Sequence, residues 1–171
     1  MKDTTTIQET AMNRVSTLFL RAAVVALGII ALGLSFLLLP EIYYNFENEF
    51  PSIGYLAYPI VAILGAALAP YFVALYQTMK LLKYIDTNQA FSMLSVSALR
   101  KIKYSGLVFS GLFIALLPFV YMVAEVDDAP GLIILGMVFA GAPMVIAVFA
   151  ALLEKLLENA IAMKNENDLT V

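Results

Sequence analysis

The sequence predicts an all-α membrane protein, a four-transmembrane-helix bundle with N and C termini in the cytoplasm, and three observations carry that expectation. Of 171 residues, 62% are hydrophobic and 13% are charged, whereas a soluble domain holds about 45–50% apolar and about 25% charged residues. Four apolar stretches each supply the ~20 residues that cross ~30 Å of hydrocarbon at a rise of ~1.5 Å per residue. The Lys and Arg residues, finally, cluster on alternate connections between those stretches.

The first span is predicted over 15–39. Its apolar run is longer than a signal peptide's, and it ends at Leu38-Leu39-Pro40 with no small-residue cleavage pattern, so it is expected to stay as an anchor. The others follow at 53–79, 104–124 and 131–153, with a cytoplasmic tail at 154–171, and all belong to one integral domain over 1–171. No stretch alternates like a strand. In lipid, continuous runs such as Ala22 to Leu39 satisfy their backbone only as helices. Pro59, Pro70, Pro118 and Pro143 each delete a helical donor and are expected to bend or loosen three of the four helices. Small residues four apart mark close helix approaches: Ala22 and Ala26, Ala62 and Ala66, Gly106 and Ser110, Gly136 and Ala140.

Charge sets the orientation, since Lys and Arg beside span ends stay in the cytoplasm. Lys2, Arg14 and Arg21 lie on the N-terminal side, Lys80, Lys83, Arg100, Lys101 and Lys103 in the second connection, and Lys155 and Lys164 in the tail. The first and third connections hold no basic residue and carry Glu41, Glu47 and Glu49, and Glu125, Asp127 and Asp128. The acidic loops therefore face outward, as in a multi-pass protein of a bacterial cytoplasmic membrane.

The inventory also excludes chemistry. There is no Cys and no His, which removes thiol nucleophiles, CxxC redox pairs, iron–sulfur ligation and the commonest metal ligand and neutral-pH base. Ser and Tyr have no base at a recognisable spacing, so an enzyme is not expected, nor any cofactor or resident metal. A net charge of −3 offers no nucleic-acid surface.

Arg21 lies six residues inside the first span. Either it snorkels to the headgroups or it pairs with Glu154 near the inner boundary. Between Pro40 and Pro51, aromatic and acidic residues alternate in a loop that suits the interfacial level; the other reading is a cation or ligand site formed by Glu47, Glu49, Glu125, Asp127 and Asp128, if the two loops converge. Asp128-Ala129-Pro130-Gly131 alternatively reads as the acidic start of the fourth helix. On the inner side, Asp86-Thr87-Asn88-Gln89 forms a turn. From Ser92 an amphipathic helix, with Leu94, Ala98 and Ile102 on one face, is expected to lie against anionic lipid or to dock a soluble partner. The fourth helix continues past the membrane, since Leu153, Leu156, Leu157, Ala160 and Ile161 keep helical spacing. The end at Asp168, Leu169, Thr170 and Val171 offers a free carboxylate to a partner.

The run Leu81-Leu82-Lys83-Tyr84-Ile85-Asp86-Thr87-Asn88-Gln89-Ala90-Phe91-Ser92, then Ala98-Leu99-Arg100-Lys101-Ile102-Lys103, resembles the inner connection of the YoaS-like family of small bacterial membrane proteins of unknown function. The ending Glu166-Asn167-Asp168-Leu169-Thr170-Val171 is similar to that family's terminus. The resemblance extends over essentially the whole chain and carries no catalytic residues. It implies a neighbouring helix-turn-helix regulator as partner, held at the cytoplasmic face by Arg100, Lys101, Lys103 and Asp168 to Val171. The alternative is a bundle, oligomeric if it conducts, that binds or transports a lipid, cation or other small molecule through Tyr71, Tyr76 and Gln77.

Overall fold

A computed structural model describes residues 3–87 and 89–168, with side chains at 17–87 and 89–166. Helix α1 spans Asp3–Glu49, α2 Ala57–Asp86, α3 Met93–Val126 and α4 Gly131–Asp168, with a short 3-10 turn at Gly54–Leu56 between the first two. Among the described residues four helices are long and apolar enough to cross a membrane.

These helices pack in chain order. α3 meets α4 over the largest surface, α2 meets α3, and α1 packs on α2, with no other substantial pairing of long helices. Helix pairing therefore follows chain order, with side chains of α1 also reaching Leu116 of α3 and sharing a groove with Phe139 of α4. Large apolar side chains such as Phe19, Phe36, Ile134 and Phe149 face outward, as the absence of a hydrophobic driving force between helices in lipid allows.

The small-residue reading holds for α3 and α4. A Cβ on Gly106 would lie 2.8 Å from the Pro143 carbonyl oxygen and 3.1 Å from the Ala147 Cβ, and one on Gly136 would lie 2.9 Å from Leu117 Cδ2. The Ser110 hydroxyl donates to the Ala140 carbonyl across the same seam. On α1 and α2 the reading fails, because Ala22, Ala26, Ala62 and Ala66 are exposed. The α1–α2 approach instead uses Gly28, where a Cβ would meet Leu75 at 3.5 Å, and the Tyr71 hydroxyl, which donates to the Leu27 carbonyl at 3.2 Å.

Three boundaries differ from expectation. First, Pro40 to Glu49 is helix, not loop, and Pro40 sits inside α1. An interior proline costs about 3 kcal/mol. That cost is offset because Phe46 is buried in a cluster with Leu56, Ala57, Ile60 and Leu116, against which Ile42 and Phe50 also pack. Only the outward side keeps an interfacial character, with Tyr43 edge-on to Tyr44 and Tyr58 at 5.2 and 5.5 Å. Second, Pro59 falls in the first turn of α2, where the missing donor has no helical partner in any case. The interior prolines are Pro40, Pro70, Pro118 and Pro143, one in each helix.

Third, the stretch from Ser92 to Lys103 is not a separate surface helix but the opening turns of α3. It contains neither Gly nor Pro, so nothing interrupts the helical ladder, and its inward residues are Ser95, Val96, Ala98 and Leu99, while Leu94 is exposed. The preceding turn is tied down by one carbonyl. Gln89 accepts from the Ser92 hydroxyl at 2.7 Å and the Ser95 hydroxyl at 3.2 Å, and its own N–H donates to the Tyr84 carbonyl at 2.8 Å.

Candidate functional site

At the end of the bundle that carries the basic residues, α3 begins and α4 ends in segments that hold most of the charged side chains of these two helices. The segment from 93 to 103 adds about 16 Å to α3 and the segment from 154 to 168 about 22 Å to α4 at ~1.5 Å per residue. Arg100 and Lys103 sit one turn apart on α3, and Glu154 and Glu158 one turn apart on α4, so the two pairs interlock. Arg100 Nε donates to Glu154 Oε1 at 2.6 Å, Arg100 Nη2 to Glu158 Oε1 at 2.9 Å, and Lys103 Nζ to Glu154 Oε2 at 2.7 Å. Glu154 is 6% exposed, and both its oxygens are engaged by cations. Such charge-assisted bonds are the strong ones, and two of them on one buried carboxylate fix the register of the helices. Lys103 Nζ also lies 5.0 Å from the centre of the Tyr104 ring.

Around this clamp the two segments expose apolar side chains. Met93, Leu94, Leu156 and Met163 are open, with Leu156 at 64% and Met163 at 63%. Lys101 and Lys155, on the same two segments, are also exposed. Arg100 and Lys103, expected to face a partner directly, pair with Glu154 and Glu158 and tie the two helices together, while the Arg100 side chain stays 52% exposed. The side chain of Asp168, and Leu169, Thr170 and Val171 entirely, lie outside the described residues, as does Asn88.

The predicted Arg21–Glu154 pair is not formed. α1 packs mainly on α2, so Arg21 meets Asp86, with Nη2 and Oδ2 2.7 Å apart. Asp86 and Glu158 are the ionic partners that sequence reasoning missed. For Glu158 a signal was present: the three-residue spacing of Arg100 and Lys103 matches the four-residue spacing of Glu154 and Glu158, both one helical turn. For Asp86 the pattern offered only a turn residue.

The outer carboxylates are dispersed. Glu47 and Glu49 close α1, Glu125 accepts from the Tyr121 hydroxyl at 2.9 Å, and Asp127 is the C-cap of α3. Asp128 has φ of 50° and Ala129 N–H returns to the Ala124 carbonyl at 3.0 Å, so this turn closes α3 through its backbone. Among the described residues no three His, Cys, Asp or Glu side chains group as metal ligands. The three polar groups considered for small-molecule passage also diverge. Tyr71 lines an apolar groove of about 320 Å³ with Leu34, Leu38, Phe109, Phe113 and Phe139, Gln77 is buried, and Tyr76 is exposed with Lys80 Nζ 4.8 Å from its ring centre.

A profile of the family described as "Protein of unknown function (DUF2975)" matches residues 41–171. The chain is 50% identical over 160 residues to the "Uncharacterized membrane protein YoaS" of Bacillus subtilis (strain 168), an alignment that covers 94% of this chain and 100% of that protein. No solved structure matches.

Proposed function

The chain belongs to the DUF2975 family of proteins of unknown function, and from that footing we propose that it is a regulatory membrane protein whose cytoplasmic projection holds a small soluble helix-turn-helix regulator. The observation that supports this reading is the α3–α4 projection itself. It is locked by Glu154 and carries exposed Met93, Leu94, Leu156 and Met163, and on our reading it emerges from the membrane on the cytoplasmic side. If this end lies outside the hydrocarbon, as the charge pattern predicts, apolar side chains at such exposure are the ordinary mark of a contact surface. Lys101 and Lys155, on the same two segments, add complementarity to an acidic partner face and raise the encounter rate.

The partner is tested in native membranes with a photoreactive side chain in place of Met163 or Leu94. A crosslink to a helix-turn-helix protein is expected from both positions and none from Phe36, which lies in an apolar span; removing residues 165–171 is expected to weaken it. Recovery of the regulator wholly in the soluble fraction, with no crosslink from the projection, would remove the reading.

A further inference from the structure

We propose that the cleft between the basic ends of α1 and α2 binds the phosphoethanolamine headgroup of a membrane lipid. The cleft measures about 370 Å³ and is lined by Thr17, Leu18, Arg21 and Asp86, within the size range of small-molecule sites. It lies at the first turns of the apolar part of α1 and the last turn of α2, the level at which lipid headgroups meet the span ends.

Its chemistry is that of an incomplete ion pair. Arg21 uses Nη2 on Asp86 Oδ2, while Arg21 Nε is buried and has no hydrogen-bond partner. A guanidinium presents five donors in a rigid fork, and with only Nη2 on Asp86 this 34% exposed side chain, which lines the cleft, keeps N–H groups to offer an acceptor from outside. A phosphate oxygen is such an acceptor. A bare anion is disfavoured, because the Asp86 carboxylate lies beside the same guanidinium and would repel it. A group that brings its own cation about one phosphoester arm away answers both charges: phosphate on the accessible N–H groups of the Arg21 guanidinium, ammonium on Asp86. A primary ammonium offers three N–H donors for the carboxylate; a quaternary choline offers none. Leu18, exposed at the rim, gives the glycerol backbone and first methylenes an apolar surface.

The test uses the full chain extracted in mild detergent and equilibrated with equimolar phosphatidylethanolamine, phosphatidylcholine and phosphatidylglycerol of matched acyl chains, the retained lipid being quantified by mass spectrometry. The ethanolamine lipid is expected to be retained about tenfold over each of the others, the ratio that corresponds to one charge-assisted hydrogen bond. Arg21→Lys, which keeps the charge and loses the fork, and Asp86→Asn should each bring the ratio to parity while helical content is unchanged. Glu158→Gln, on the opposite part of the same end, should leave it intact. Equal retention of the three lipids by the native chain, or an undiminished preference in folded Arg21→Lys and Asp86→Asn, overturns the proposal. In the native chain, soluble O-phosphoethanolamine is expected to compete only at about a hundredfold higher concentration, since it lacks the acyl contact. Competition at equal concentration would assign the cleft to a free phosphoamine and overturn the lipid as its occupant.

Discussion

Glu154→Gln is expected to lower the stability of the protein by about 2 kcal/mol, less than the 3–5 kcal/mol lost when a fully buried ion pair loses one member. The carboxylate is buried and engaged by two cations, so the neutral amide loses the charge in both contacts and turns donors toward Lys103. The loss is moderated because the cations on α3 reach water: the Arg100 side chain is 52% exposed, against 8% for Glu154. The effect should be local. Hydrogen exchange should rise at 93–103 and 154–166 while the apolar spans stay protected, and thermal unfolding of the detergent-solubilised protein reads the overall change. Glu158→Gln, which removes a single contact on a more exposed carboxylate, should change stability far less. Equal effects of the two substitutions would mean that Glu154 is not the centre of the clamp.

Gly106→Leu is expected to cost about 3 kcal/mol or more, at or above the top of the range for inserting methylenes into a packed seam. The reason is backbone, not side chain. The atom met at 2.8 Å by a new Cβ is the carbonyl oxygen of Pro143, which cannot rotate away, so α3 and α4 must separate along the surface they share. Even Gly106→Ala should cost about 1 kcal/mol or more by the same collision. Gly111 provides the control, since nothing lies within 4 Å of its Cβ position. Gly111→Ala should be neutral or slightly stabilising through helix propensity alone, worth up to about 1 kcal/mol. Unfolding of the three variants in one detergent distinguishes a packing glycine from a lipid-facing one, and equal tolerance at 106 and 111 would deny the close seam.

The spans were legible because their signal is composition: an apolar run of the required length must be a helix in lipid, and no neighbour has to be known. The approach at Gly106 and Ser110 was legible for a related reason, since small residues state where backbones come close. Elsewhere identical spacing misled. Ala22 and Ala26 have the pattern of a seam and face outward, because which face of an apolar helix is inward depends on helix order, and the order left α1 packed mainly on α2. Pro40 ended the first span on local grounds, but Ile42 and Phe46, two and six residues further on, carry the helix through it by burying against α2 and α3. The same dependence on neighbours explains the ionic contacts. Arg21 was recognisable as a charge in need of company, and Glu154 as its counterpart in kind, but partner choice is set by the α1–α2 and α3–α4 pairings. Those are tertiary facts. The rigidity of the α3 opening turns followed from the lack of any helix breaker between 93 and 103, a cue that was present and was outweighed by the clustering of Arg100, Lys101 and Lys103.

The regulator contact depends on the basic end facing the cytoplasm, and the sequence offers a direct way to examine this, since it contains no cysteine. A single cysteine replaces Met163 on the α4 projection in one variant and Tyr44, 72% exposed at the acidic end, in another, and intact cells are treated with a membrane-impermeant maleimide. Tyr44→Cys should be labelled in intact cells and Met163→Cys only after lysis. Labelling of Met163→Cys from outside, with Tyr44→Cys protected until the cells are broken, would contradict the orientation and the cytoplasmic docking surface together.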